Sequence, residues 1–230
     1  MFLIMTKQAD DIEIELKLIL PQTQLESVFD VLKKQAVKGK IKDKFRPRDY
    51  YDTSDLELSS RMVALRVQHK EKKGYEQTIK AAMDGVDEKS EDGVLARMEW
   101  KDLIPENKPD LKLIKSSDAK STVKGIKNKH LMHIFTASVK RRYFDMSVEM
   151  PDGSMAVVEL AFDLGDVALA APYNGTAPVC EIEIEKKSGS VKAIDIVKEQ
   201  ILKMAPDAKV STISKAATGY QLYAQACCKK

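Results

Sequence analysis

Two short stretches of this chain alternate strictly between apolar and charged residues. DDIEIELKLIL places Glu13, Glu15 and Lys17 on one face of an extended strand, with isoleucine and leucine residues on the other face. CEIEIEKKSG, far along the chain, repeats the pattern with three carboxylates, Glu181, Glu183 and Glu185. A period of two predicts β-strands, and each of these strands would have one apolar face and one face of ordered charges.

Further alternating runs predict an antiparallel sheet of many strands. They include RMVALRVQHK, YEQTIKAA, VLARMEWKDL, FTASVKRRYFDMSVEM and SMAVVELAFDLG. The stretches 22–37, 191–205 and 214–228 predict helices. A long series of such strands is expected to curl toward a barrel. If the helices pack outside it, the apolar strand faces point outward to meet them, and the charged faces line the interior.

Three segments carry more specific expectations. KDKFRPRDYYDT, residues 42–53, predicts a strand interrupted by Pro47, which indicates an edge or a bulge. Residues 111–130 predict a mostly helical, basic segment. After SMAVVELAFDLG, the stretch DVALAAP predicts a separate short strand.

The charge balance limits the kinds of partner that we expect. The 230 residues include 38 basic and 35 acidic side chains, and this net charge of +3 does not support binding to nucleic acid or to a membrane. No apolar run is long enough for a transmembrane helix, and the start MFLIMTKQADD lacks the features of a signal peptide. The three cysteines form no disulfide framework. We expect a cytoplasmic protein with a single domain over residues 1–230, as a monomer or homodimer.

The charged strand faces carry residues of both signs. The acids expected in the interior are Glu13, Glu15, Glu99, Glu159, Asp163, Glu181, Glu183 and Glu185. The bases expected there are Lys17, Arg66, Lys80, Arg97, Lys140 and Arg142. Burial of any of these charges without compensation would cost several kcal/mol.

Three arrangements would satisfy these charges. They could face solvent, they could pair with each other inside the barrel, or they could hold a ligand that needs both signs. A metal-bound polyanion is such a ligand, because Lys and Arg bind phosphate oxygens while clustered carboxylates hold a hard divalent cation such as Mg²⁺. Cysteine and histidine are sparse, so a zinc site has little support.

Several stretches resemble blocks of the CYTH superfamily, also called the triphosphate tunnel metalloenzymes. EIELK is similar to the E-x-E-x-K signature, and six further blocks follow in the family's order: YYDTSDLELSSRMVALRV, YEQTIK, RMEW, VELAFDLGDV, PVCEIEIEKKSG and STISKAATGYQLY. The resemblance covers nearly the whole chain and is closest to the bacterial inorganic triphosphatases. It implies an α+β fold in which an eight-stranded antiparallel β-barrel forms a tunnel with a charged interior and helices packed outside.

The resemblance also implies roles for individual residues. It implies Mg²⁺ or Mn²⁺, held by a set of carboxylates: Glu13, Glu15, Glu181, Glu183 and Glu185. It implies that phosphate oxygens are bound by a set of bases: Lys17, Arg66, Lys80, Arg97, Lys140, Arg142 and Lys215. Four of these residues would be catalytic: Glu13, Glu15, Lys17 and Lys215. The remaining acids, Glu99, Glu159 and Asp163, would orient the bases or help to hold a second metal.

The implied reaction is metal-dependent hydrolysis of inorganic triphosphate, a small-molecule substrate, to diphosphate and phosphate. A class IV adenylyl cyclase or a thiamine triphosphatase on the same fold is an alternative, and so is a polyphosphate-binding module without catalysis. The sequence does not rank inorganic triphosphate against nucleoside triphosphates or polyphosphate. Three departures from the family pattern affect substrate contacts, since Gln68, Lys140 and Thr218 stand where arginine is frequent.

Overall fold

The computed structural model describes residues 11–71, 73–83 and 93–228. Within them the strands are β1 (Ile12–Ile19), β2 (Lys42–Asp52), β3 (Val63–Lys70), β4 (Gly74–Ala82), β5 (Leu95–Ile104), β6 (Met132–Glu149), β7 (Met155–Leu169), β8 (Thr176–Ser188) and β9 (Lys209–Val210). The α-helices are α1 (Gln22–Leu32), α2 (Glu57–Ser60), α3 (Ser117–Thr122), α4 (Lys192–Met204) and α5 (Lys215–Cys227). The first ten residues, on which the expectation about a signal peptide depends, lie outside this description.

Eight strands close into one antiparallel barrel. Their order is β5-β4-β3-β2-β6-β7-β8-β1, and an additional pairing between β1 and β5 closes the ring. Residues 12–15 of β1 pair with residues 95–98 of β5, whereas residues 15–19 pair with residues 181–185 of β8. The two-residue strand β9 pairs with the end of β1 outside the ring. The expected eight-stranded antiparallel barrel is confirmed.

The apolar faces of β1 and β8 point outward, toward α1 and α4. Leu16 and Ile184 are fully buried there, in one cluster with Leu25 of α1 and with Val197 and Ile201 of α4. Burial of an aliphatic side chain stabilises a fold by roughly 1.5–3 kcal/mol. The helices therefore determine which strand face points outward, and the charged residues between the apolar ones point inward.

A second apolar core covers the outer faces of β3, β4 and β5. Leu65, Ile79 and Trp100 of these strands pack with Leu58 of α2 and Ala119 of α3. Together the two cores place helices on the outside of both halves of the barrel, as expected. In the described part of the chain, no helix is long and apolar enough to cross a membrane.

Helix α5 contacts the inward face of the barrel wall. Its Tyr220 packs edge-on against Phe135 of β6, with ring centroids 5.2 Å apart. A Cβ added at Gly219 would lie 2.4 Å from the same ring, so only glycine allows this close approach. Phe135 shares its strand face with Arg141, which lines the interior. The first residue of α5, Lys215, is thereby brought into the barrel, where it is buried.

The three specific expectations have different outcomes. β2 pairs with β6 along residues 42–52 but with β3 only at residues 49–51, so Pro47 lies on an edge segment as expected. The helical segment expected at residues 111–130 is present only as short separate pieces, which are the α-helix Ser117–Thr122 and the 3-10 turns Leu111–Leu113 and Asn128–His130. DVALAAP is not a separate strand, since β7 continues without interruption to Leu169.

Candidate functional site

The barrel encloses a charged cavity of about 410 Å³. Eleven basic side chains line it: Lys17, Arg46, Arg48, Arg66, Lys70, Lys80, Arg97, Lys101, Arg141, Lys187 and Lys215. Five acidic side chains line it: Glu13, Glu99, Glu159, Glu183 and Glu185. A cavity with this excess of bases attracts anionic ligands.

One group of residues, the β1 cluster, consists of Glu13, Glu15, Lys80, Arg97 and Glu99. The Nζ of Lys80 lies 2.5 Å from a carboxylate oxygen of Glu13 and 3.0 Å from one of Glu99. Arg97 donates from Nε to Glu13 at 2.7 Å and from Nη2 to Glu15 at 2.6 Å. The strand register explains these contacts, because Glu13 pairs with Arg97 across β1 and β5, and Lys80 pairs with Glu99 across β4 and β5.

The carboxylates of the β1 cluster differ in how well they are compensated. Burial alone would raise the pKa of Glu13, but the charges of Lys80 and Arg97 outweigh it and hold that pKa well below its usual range. Burial is likewise outweighed at Glu99, where Lys80 helps to lower the pKa to about 2. The pKa of Glu15 is raised, because burial and the like charge of Glu13 together exceed the effect of Arg97.

A second group, the α5 cluster, consists of Asp163, Glu181, Glu183, Arg141 and Lys215. The Nζ of Lys215 lies 2.7 Å from Asp163 and 2.8 Å from Glu183, and it also contacts Glu181. Arg141 donates from Nε to Asp163 at 2.7 Å, and its Nη2 contacts Glu183. Oxygens of the three acids lie within 4.8 Å of one another, so without the two cations these groups would repel each other strongly.

The pKa shifts of the α5 cluster show that its charges stabilise each other. Burial would raise the pKa of Asp163, but Lys215 and Arg141 lower it to about 2. Burial would lower the pKa of Lys215, but the three carboxylates around it raise that pKa instead. Both signs therefore remain charged at neutral pH inside the barrel wall.

Three carboxylates form a row across neighbouring strands: Glu15, Glu185 and Glu159. Glu15 pairs with Glu185 across β1 and β8, and Glu185 pairs with Glu159 across β8 and β7. The Nζ of Lys187 lies 2.7 Å from Glu185 but 3.9 Å from Glu159. Burial raises the pKa of Glu185, with the like charges of Glu13 and Glu159 adding to it and Lys187 opposing it. Like charges directly opposite each other destabilise a sheet, so this carboxylate row carries negative charge that the chain compensates only in part.

The carboxylate row fits a hard divalent cation. Carboxylate oxygens are the ligands that such ions prefer, and the row offers them next to a further acid, Glu13. The α5 cluster offers similar oxygens, but the ammonium group of Lys215 lies among them. Among the described residues, the three acids whose oxygens lie within 4.8 Å of one another are those of the α5 cluster, so a metal ion at the row would have to draw the carboxylates of the row closer together.

Two further residues that were expected in the interior also line the cavity. The Nζ of Lys17 lies 3.4 Å from Glu181 and donates to the backbone carbonyl of Ile213 at 3.1 Å. The Nη2 of Arg66 lies 3.3 Å from Glu99. The two clusters, the carboxylate row and these two residues together include all eight of the expected acids. They also include all of the expected bases except two.

The two exceptions are Lys140 and Arg142, and the expectation that they point inward is wrong. The side chain of Lys140 is 61% exposed, with its Nζ 3.5 Å from Asp43. Arg142 donates to Glu26 of α1 at 2.7 Å, and its guanidinium lies 3.8 Å from the ring centroid of Phe29. Both side chains therefore lie on the outer surface and have no contact with the cavity.

The cause is a change of apolar face along β6. Near the start of the strand, Phe135 is buried against α5 on the inward face, whereas Phe144 and Met146 are buried in the outer core with α1 and α4. If the apolar residues in the first half of β6 are assumed to point outward, the period of two places residues 140 and 142 on the inward face, which is wrong. Arg141, between them, is the residue that points inward.

Sequence reasoning also misses several residues that line the cavity: Arg46, Arg48, Tyr50, Lys70, Lys101, Arg141 and Lys187. Arg46, Arg48 and Tyr50 share one face of β2, and this period of two is visible in FRPRDY. Pro47 obscures that signal because it indicates an interruption of the strand. Lys187 continues the alternation of the glutamates on β8, so its position follows from the same pattern.

A model of the CYTH domain family matches residues 11–220 of this chain. The chain belongs to the CYTH family. Members of this family are metal-dependent and act as triphosphatases or cyclases. No curated protein sequence matches this CYTH chain.

Two solved structures are similar to this CYTH protein in fold. One is a candidate adenylyl cyclase from Hippeastrum with a dominant triphosphatase activity, at 18% identity over 91% of this chain and 95% of that chain, with a TM-score of 0.52. The other is a candidate adenylate cyclase from Bacillus halodurans, at 19% identity over 84% of this chain and 89% of that chain, with a TM-score of 0.50. At these identities the likeness shows a shared fold.

Proposed function

We propose that this protein hydrolyses inorganic triphosphate to diphosphate and phosphate with the help of Mg²⁺ or Mn²⁺. The observation that supports this is the joint presence, among the described residues, of five acidic and eleven basic side chains around one cavity. A metal-bound polyphosphate needs both kinds of group, because its oxygens bind bases while its cation binds carboxylates. Membership of the CYTH family restricts the reaction to triphosphate hydrolysis or cyclisation.

Glu15 and Glu185 would hold the divalent cation, with Glu13 and Glu159 on either side. When bound, the cation would neutralise charge on the phosphate oxygens and make the phosphorus a better electrophile. The raised pKa values of Glu15 and Glu185 are consistent with this role, because burial and like charges outweigh Arg97 and Lys187 there, so that a bound cation would further stabilise the ionised carboxylates.

The basic side chains would bind the phosphate oxygens and stabilise the diphosphate leaving group. The candidates are Lys17, Arg66, Lys80, Arg97, Arg141 and Lys215. Arginine can bind two oxygens at once through its planar fork, whereas lysine acts as a point charge. Many of these bases are already held by carboxylates before substrate arrives, as Arg97 is by Glu13 and Glu15. Charges that are positioned in advance need little reorganisation during the reaction.

The attacking water must lose a proton during hydrolysis. Glu159 would be placed to accept it, because it lines the cavity and pairs across the strands with the proposed metal ligand Glu185.

A cyclase reaction is the second candidate, because both similar solved structures are described as candidate adenylyl cyclases. It would require the cavity to hold adenine. Among the described residues, the aromatic side chains that line the cavity are Tyr50 and Tyr220. Tyr50 already stacks on Phe135 at 4.6 Å and Tyr220 packs edge-on against the same ring, so these faces are partly occupied. This arrangement favours a substrate that has no nucleobase.

The test measures phosphate release from inorganic triphosphate, ATP and thiamine triphosphate in parallel. Each reaction is run with Mg²⁺, with Mn²⁺ and with a chelator, and cyclic AMP is measured in the ATP reactions. We expect fast release from inorganic triphosphate that the chelator abolishes. If cyclic AMP is the main product from ATP, the proposal is wrong and the protein is a cyclase. If no reaction shows turnover, the proposal is wrong and a polyphosphate-binding module without catalysis remains.

A further inference from the structure

Two cavity-lining arginines on β2, Arg46 and Arg48, differ from the other bases of the cavity. They are two residues apart, so they share the inward face of the strand, and both line the cavity. Neither takes part in an ion pair with a carboxylate of the described residues. Arg46 instead donates from Nη2 to the phenol oxygen of Tyr143 at 2.6 Å and lies over that ring.

Each of the other nine bases that line the cavity has at least one carboxylate within ion-pair distance. On the β3–β5 side, Lys70 lies 3.0 Å from Glu76, and Lys101 contacts Glu99. Elsewhere the pairs are those of the two clusters and of Lys17, Arg66 and Lys187. An anion that binds to one of these nine must compete with a carboxylate that is already in place. An anion that binds to Arg46 or Arg48 displaces no carboxylate of the described residues at ion-pair distance, although Asp163 lies close enough to act on the pKa of Arg48.

Arg48 is the more unusual of the two because it is buried. Only 3% of the residue is exposed, and its Nε has no hydrogen-bond partner. Burial, together with the like charges of Arg141 and Arg66, lowers its pKa to about 10, so the group still carries a positive charge at neutral pH. Buried charges are normally paired, because an unpaired one destabilises the fold. A bound anion would therefore stabilise a guanidinium group that has no ion pair in the wall of a cavity.

The surroundings of Arg48 indicate which anion fits. Arg66 and Arg141 are close enough to shift its pKa, so three guanidinium groups face one region of the cavity. Two of these guanidinium groups, those of Arg66 and Arg48, also act on Tyr50. Burial alone would raise the pKa of Tyr50, but the two positive charges outweigh burial and lower that pKa. A phosphoryl group carries more than one charge and several acceptor oxygens, which matches several planar donor forks.

We propose that Arg48 and Arg46 form an anion subsite in the cavity that binds a phosphoryl group of an inorganic polyphosphate chain. This inference rests on the proposed function, since it assigns an additional specificity-determining contact within the same cavity. Arg48 provides the buried part of the subsite. Arg46, which is only partly buried, provides the part nearer to solvent.

The test measures binding of inorganic triphosphate in the presence of chelator by isothermal titration calorimetry. The variant Arg48→Met should raise the dissociation constant by about 10- to 100-fold, which is the usual effect of losing a charge-assisted hydrogen bond. The same variant should melt about 2–4 °C higher than the wild type without ligand, because it removes an unpaired buried charge. Loss of affinity together with a gain in stability is a result that a merely structural arginine would not produce.

The matched control is Arg142→Met, which removes a guanidinium from the outer face of the next strand. It should leave the dissociation constant for triphosphate unchanged within twofold. Arg46→Met is the second variant, and it remains informative if Arg48→Met fails to fold, because Arg46 is less buried. We expect it to weaken triphosphate binding by about 3- to 10-fold, since its contact is more exposed to water.

The outcomes separate this inference from the proposed function. If the wild type binds triphosphate and both Arg48→Met and Arg46→Met bind it as tightly, the subsite is wrong while the proposed hydrolysis stands. If the variants lose affinity but the wild type releases no phosphate with any metal, the subsite stands and the proposed hydrolysis is wrong. If the wild type does not bind triphosphate in the presence of chelator, the subsite is wrong, and the proposed hydrolysis is judged by phosphate release with Mg²⁺ or Mn²⁺.

Discussion

The α5 cluster and the carboxylate row each place three acids on neighbouring strands of one barrel, yet they differ in how the negative charge is balanced. In the α5 cluster, Lys215 lies among the acids and Arg141 binds two of them, and the pKa of Asp163 falls to about 2. In the row, the pKa values of Glu15 and Glu185 are raised. Acidic residues in a barrel wall therefore do not by themselves indicate a metal site. What distinguishes the two regions is whether a basic side chain of the protein already occupies the space between the acids.

The largest effect should come from removing the cation of the α5 cluster. Lys215→Met leaves three buried carboxylates with Arg141 as their main partner, and we expect a loss of about 3–5 kcal/mol in the free energy of unfolding. Urea denaturation followed by circular dichroism measures it. The double variant Lys215→Met/Asp163→Asn should lose less than the two single variants added together, because it also removes one of the repelling charges. If Lys215→Met is as stable as the wild type, the α5 cluster is not a structural network.

The corresponding change in the carboxylate row should affect activity and spare stability. Glu15→Gln removes a proposed metal ligand, and we expect metal-dependent phosphate release to fall by about 100-fold or more, close to 2.7 kcal/mol of barrier. The free energy of unfolding should change less than in Lys215→Met, because Arg97 keeps its ion pair with Glu13 when Glu15 loses its charge. A variant that unfolds readily but keeps its turnover per folded molecule would contradict the comparison between the two regions.

Acid should weaken the ion pairs of both the α5 cluster and the β1 cluster. The pKa of Asp163 is about 2 in the folded protein and 3.8 ordinarily, so its ionised form stabilises the fold above pH 3.8. That contribution, on the order of 2 kcal/mol, disappears as the pH falls from 3.8 through about 2. Glu99 acts in the same direction, since its pKa is lowered from 4.5 to about 2. Urea midpoints at a series of pH values between 5 and 2 measure the loss, and constant stability down to pH 2 would show that these ion pairs contribute nothing.

The smallest effect should come from the outer arginine. Arg142→Gln removes a partly exposed ion pair with Glu26 and a contact with Phe29, and we expect a loss below about 1 kcal/mol. Phosphate release should stay within twofold of the wild type, because the residue does not line the cavity. A loss of more than tenfold in activity with unchanged stability would show that Arg142 acts in the interior site and would contradict its assignment to the outer surface.

The charged strands and the inverted barrel could be predicted because β1 and β8 each keep one pattern from end to end. Glu13 and Glu183 point inward for the same reason that Leu16 and Ile184 point outward, which is the presence of α1 and α4. That local signal is complete within each strand, so it requires no knowledge of distant contacts.

The rest of the site depends on contacts that no single stretch records. Phe135 is buried by α5, which lies about 80 residues later in the chain, and this contact reverses the apolar face of β6 partway along the strand. The sequence pattern therefore predicts Lys140 and Arg142 as interior residues in place of Arg141. The separation of the acids into a neutralised cluster and a partly compensated row depends likewise on where Lys215 enters the barrel, which is set by the packing of Gly219 against Phe135.

The pairing of β1 with both β5 and β8 has a consequence for synthesis of the protein. β1 is made first, but β8 begins only at Thr176, so the ring cannot be completed until most of the chain has left the ribosome. Until then the nascent chain has open strand edges, which are sites for pairing with other chains. Contacts between such distant segments also make folding slow. Emergence of β8 is thus the step after which the chain can close its barrel and cover the edges of β1 and β7.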